Sequence, residues 1–155
     1  MNLRGLTTMN STKMLRRMAS GLGAFAIATT AALTLAAPAH AETNPRCADS
    51  TQIGATGYLK LDGGRTVASV KQFKGCGKNY AYTYLWQEFR GKGLRPCAMV
   101  GVGSDTATAR TEGNYCAPAN AAEAWSYGTN TLSQCTFAIG WVWGEEIEGH
   151  TEVRC

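Results

Sequence analysis

Glu148, His150 and Glu152 stand at alternate positions close to the end of the chain. On a β-strand alternate side chains share a face, so two carboxylates would flank one imidazole. Such a set can hold a metal ion, or let a carboxylate orient a histidine that acts as general base. The same pattern also describes the solvated face of a terminal hairpin. His150 is the single histidine after residue 41, so no second imidazole is at hand to share acid and base duties. The sequence has no G-x-S-x-G, no H-E-x-x-H, no complete phosphate-binding loop and no dinucleotide fingerprint. No catalytic residue, metal ligand or cofactor is therefore expected.

A second constellation is a surface. Tyr80, Tyr82, Tyr84 and Trp86 alternate along one stretch. The register of the neighbouring hairpin puts them on one face with Tyr58, Lys60, Val67, Lys71 and Phe73. The opposite face collects Leu59, Leu61, Ala68, Val70, Ala81, Leu85, Ala98, Val100 and Val102, small and aliphatic as a core should be. Rings mixed with lysines suit a carbohydrate platform or a partner interface. Rings on alternate residues recur about every 7 Å along a strand, a spacing fit for stacking on a polymer, and the lysines favour an acidic one. The expected binding set is Tyr58, Lys60, Lys71, Tyr80, Tyr82, Tyr84 and Trp86. The competing reading is a covered aromatic layer, because Tyr and Trp are ordinary strand residues and lysine stems lie along rings.

The elements that must position these residues read as strands. Residues 56–61 and 66–73 alternate, and Asp62-Gly63-Gly64-Arg65 between them is a strong hairpin signal. Residues 79–89, 97–103 and 106–111 continue the pattern, giving an expected meander of hairpins. Residues 118–127 form the one plausible helix, with Asn120 as cap and Glu123 at capping-box spacing. The last hairpin turns at residues 144–146. Pairing positions that sum to 290 sets Phe137 opposite Val153 and Ile139 opposite Thr151. It predicts that Phe137, Ile139, Trp141 and Trp143 cover the aliphatic face, making two layers.

The same register sets Cys135 opposite Cys155, within disulfide reach. Six cysteines all follow residue 41, and none forms a close C-x2-C pair, so three disulfides are expected rather than zinc. Six cysteines allow fifteen connectivities. Nearness along the chain suggests Cys47 with Cys76 and Cys97 with Cys116.

Upstream, Lys13, Arg16 and Arg17 precede an uncharged stretch over 18–37, then Pro38 and the small-x-small triplet Ala39-His40-Ala41. This is the three-part pattern of a secretory signal over 1–41, whichever of Met1, Met9 or Met14 starts it. The rest, 42–155, is one domain with a short polar lead at 42–45. The overall charge of +4 disappears with Arg4, Lys13, Arg16 and Arg17, which leaves eleven basic residues against eleven acidic. A case for nucleic-acid binding from charge thus fails. The charge is nevertheless polarised: residues 60–95 hold eight basic side chains against two acidic, and residues 105–155 hold two against seven.

The run Ser69-Val70-Lys71-Gln72-Phe73 followed by Cys76-Gly77-Lys78-Asn79-Tyr80, with Cys135, Ala138, Gly140, Trp143 and a closing Cys155, resembles small cysteine-rich exoproteins of actinobacteria. Those families have no assigned activity, so the resemblance implies none. The expectation is a secreted, all-β, monomeric domain with no membrane span after cleavage, binding an extracellular or cell-envelope polymer or a protein partner. Two alternatives stand beside it. One is a ribonuclease-like hydrolase using His150 with Glu112 or Glu148. The other is an inhibitor of a secreted enzyme that presents loop 90–96.

Overall fold

Gly63 and Gly64 both take positive φ, +89° and +83°, the handedness a tight hairpin needs and glycine supplies without strain. They join β1 (Thr51–Lys60) to β2 (Thr66–Gly75); Leu59 faces Ala68 as expected, but the register shifts by one at the turn, where Lys60 pairs with Thr66 and Leu61 N donates to Arg65 O. The computed structural model describes residues 42–155, and the signal-peptide reading of 1–41 lies outside them. Strand β3 (Lys78–Leu85) continues the meander. A single 3-10 turn at Gln87–Phe89 then carries the chain into a second layer. There β4 (Pro96–Val102) pairs with β5 (Arg110–Cys116) and with β7 (Thr136–Val142), and β8 (Glu148–His150) adds to β7. The short β6 (Glu123–Trp125) returns to the first layer and pairs with β3. The result is two antiparallel sheets, ordered β1-β2-β3-β6 and β5-β4-β7-β8. The meander therefore ends at β3, and the fourth strand belongs to the other sheet.

Between the sheets lies the aliphatic face read from the sequence. Leu59, Ala68, Val70, Ala81, Leu85, Ala98, Val100 and Val102 are buried there with Ala138 and Val142. The last two correct an expectation. The face of β7 turned inward is Ala138, Gly140 and Val142, not Phe137, Ile139 and Trp141. Space decides this: a Cβ on Gly140 would lie 2.7 Å from Val70 Cγ2, and it would crowd the Thr83 hydroxyl as well. The sheets approach too closely for large side chains, so Phe137 lies instead over Gly101 on the outer face. The register of the last hairpin also differs by one, with Ile139 opposite His150. It returns to the expected sum at Thr136 and Arg154. Thr151 absorbs the extra residue. Its N–H donates to Ala138 O, and its hydroxyl accepts from Ala138 N.

Two further expectations are overturned. Residues 118–127 are not helical. Asn120 takes φ +65°, its N–H donates to Leu94 O, and its side chain accepts from Gly93 N. The would-be cap is committed to the 90–96 loop instead. The fifth strand begins at Arg110 rather than 106, because Asp105 holds a turn through Ala107 N and the Thr108 hydroxyl. The disulfides are Cys47–Cys76, Cys97–Cys116 and Cys135–Cys155.

Candidate functional site

Strand alternation puts Lys71, Phe73, Tyr80, Tyr82 and Tyr84 on the outer face of the first sheet, as expected. They do not form an exposed row. Tyr80 and Tyr82 are only 2% and 1% exposed, and Phe73 is buried with them. Two things cover them. Trp125, on β6, packs 4.8 Å from the ring of Phe73 and 4.5 Å from that of Tyr82. The polar lead folds over the same face, with Asn44 and Cys47 buried. Cys47–Cys76 and the Arg46 guanidinium, which donates to Trp125 O at 2.9 Å, fasten that lead. Lys71 is not free to meet an acidic ligand, because its ammonium pairs with Glu42.

The part of this face that stays open runs across the strands rather than along β3. Tyr58, Ser69, Tyr84 and Glu123 are successive cross-strand partners. Neighbouring strands lie about 4.8 Å apart, so the row extends roughly 14 Å. Trp86 joins it from just beyond β3. Its indole N–H donates to Ser69 Oγ at 2.9 Å, and Ser69 is the residue between Tyr58 and Tyr84 in the cross-strand row. Tyr58 is 48% exposed and Trp86 39%. Lys60 is exposed near this end, opposite Thr66.

At the Glu123 end the row opens into a cleft of about 600 Å³ lined by Glu42, Tyr82, Tyr84, Arg90 and Glu123 among others. Arg90 stacks on Tyr84, its guanidinium carbon 4.7 Å from the ring centre, and its Nε donates to Leu85 O. Its Nη2 is buried with no partner. The Tyr82 hydroxyl donates to Glu123 Oε2 at 2.8 Å. Burial, and secondarily this carboxylate, push the Tyr82 phenol far above its ordinary range, so it remains a neutral donor. Two carboxylates and two cations, Lys71 and Arg90, meet here.

The remaining candidates are scattered. Glu112 sits on β5 and His150 on β8, at opposite edges of the second sheet, about three strand spacings or 14 Å apart. Glu112 pairs with Arg110. His150 directs Nδ1 at Thr151 O and packs edge-on to Phe137. Glu148 is exposed two residues away, opposite Trp141. No group of three metal-ligating side chains forms among the described residues. Loop 90–96 keeps its arginines on the protein. Arg90 lies on Tyr84, and Arg95 donates to Ala117 O beside Trp143.

Sequence reasoning missed Glu42, Glu123 and Trp125. Glu42 lies in a segment without periodicity, and a three-residue strand is too short for alternation to be read. No family model matches the chain, and no curated protein or solved structure matches it either.

Proposed function

We propose that this protein is exported and acts outside the cell as a non-enzymatic binding domain, with the cross-strand row Tyr58, Trp86 and Tyr84 and the adjoining cleft as its working surface. Three disulfides suit an oxidising compartment, and residues 1–41 carry the export pattern. Among the described residues no helix is long and apolar enough to cross a membrane. The observation that carries the reading is the pair of half-exposed rings, Tyr58 and Trp86, aligned with a cleft that holds both charged and aromatic side chains. Exposed rings held rigidly by the sheet bind with little loss of side-chain freedom.

Retention of the exported protein on immobilised polymers tests this. Neutral polysaccharides, anionic polysaccharides and purified envelope sacculi serve as the panel. A Tyr58→Ala/Trp86→Ala variant that keeps the wild-type circular dichroism should lose retention on whichever polymer holds the wild type, by about tenfold or more. Equal retention of the two proteins, or no retention of the wild type on any member of the panel, overturns the assignment.

A further inference from the structure

We propose that the ligand of this surface is a neutral glycan chain lying across the strands, from Tyr58 over Trp86 and Tyr84 to the Glu123 end of the cleft. The proposal rests on the binding-domain reading above and adds the ligand's chemistry. Three observations converge on it.

The first is charge. Glu42 is neutralised by Lys71, and Glu123 stands in a cleft that also contains Arg90. Within the cleft two acids are matched by two bases, so the cleft itself selects neither a polyanion nor a polycation, and Lys60 adds an exposed charge at the Tyr58 end. The second is hydrogen-bonding type. Carboxylates only accept and guanidinium only donates, so a ligand that serves both must donate and accept at closely spaced points. Sugar hydroxyls do both. Arg90, which lines the cleft with its guanidinium over Tyr84, supplies the donor. The third is shape. Tyr58 and Trp86 are half-exposed, and such rings receive the C–H face of a pyranose on their negative π-surfaces, while Tyr84, with Arg90 over it and Tyr82 stacked beside it, forms the polar end of the row. Tyr58 and Tyr84 are two strands apart, about 10 Å, close to the length of a disaccharide unit, and Trp86 is tied to Ser69 between them.

The test is isothermal titration with cellohexaose, laminarihexaose and chitohexaose, and with oligogalacturonate as the charged comparator, each at low and high salt. The wild type should bind at least one neutral series saturably, with an affinity that salt leaves unchanged, because no net charge is being screened. Trp86→Ala and Arg90→Ala should each weaken that binding about tenfold, as loss of one anchoring contact does. Trp86→Phe should restore most of it, which separates a stacking role from a folding defect. The glycan assignment is overturned if no neutral series binds, if binding is confined to oligogalacturonate and collapses with salt, or if Trp86→Ala binds like the wild type. In the first two cases, loss of polymer retention by Tyr58→Ala/Trp86→Ala would leave the surface in place and remove only its ligand class. Retention indifferent to that variant would remove both.

Discussion

Tyr82 places a phenol in the interior against a carboxylate, and the consequence is a pH dependence with a definite sign. Its folded-state pKa lies well above the ordinary value, first through desolvation and then through Glu123. In the unfolded chain the phenol ionises near pH 10. The stabilisation from the neutral buried phenol is complete below that pH and declines as pH rises above it, because the unfolded state then binds fewer protons than the folded one. Spectrophotometric titration should show a phenolate absorbance step that appears only as the protein unfolds. Tyr82→Phe should lack that step, flatten the alkaline decline in stability, and cost about 1–2 kcal/mol at neutral pH through the lost hydrogen bond. If every tyrosine ionises reversibly near pH 10 in the folded protein, the buried pairing is wrong. Which face Tyr82 and Lys71 share could be read from strand alternation alone. That Tyr82 is covered and Lys71 paired could not, since both facts depend on Glu42, Glu123 and Trp125, each distant in sequence.

Elements were legible where one local signal set them. Gly63-Gly64 and the alternation around it located the β1–β2 hairpin, and Leu59 faces Ala68 as expected, although the register shifts by one beside the turn, where Lys60 pairs with Thr66. The helix expected over 118–127 shows the limit. Asn120 and Glu123 have the spacing of a capping box, but Asn120 serves Gly93 and Leu94, and Glu123 opens β6 beside Tyr84. Tertiary partners outbid a short local propensity. Strand β7 offered two faces of similar apolarity, and polarity could not choose between them. Volume chose, and Gly140 marks where. Gly140→Ala should destabilise the protein by about 1–3 kcal/mol through overpacking against Val70 and Thr83. The measure is the denaturant midpoint, read at unchanged m-value. A neutral result would mean that Gly140 faces outward and that Phe137, Ile139 and Trp141 form the inner layer after all.

At the scale of the whole molecule, the two sheets close on each other at both edges. His150 carbonyl backbone presses on Gly57 at one side, and Tyr127 N–H donates to Gly113 O at the other. Neither contact protects the outer tyrosine face. That is left to Trp125 and to the lead from Glu42 to Cys47, the lead held by one disulfide and by Arg46, whose guanidinium lies over the rings of Tyr115 and Tyr127. Two of the disulfides thus have different work. Cys135–Cys155 ties the last strands of one sheet, whereas Cys47–Cys76 anchors a cover and, through Glu42, one wall of the cleft. Replacing Cys47 and Cys76 by Ser should cost up to about 3.6 kcal/mol, as expected for a loop closed over a separation of 29 residues, and should also release the lead. Trypsin would then cut after Arg46 under conditions where the wild type resists, and the Tyr82 phenol would titrate closer to its ordinary range. The corresponding Cys135 and Cys155 variant should lose comparable stability yet keep Arg46 protected while folded. If both variants expose Arg46 equally, the lead is held by global folding alone, and Cys47–Cys76 has no special part in covering the tyrosine face.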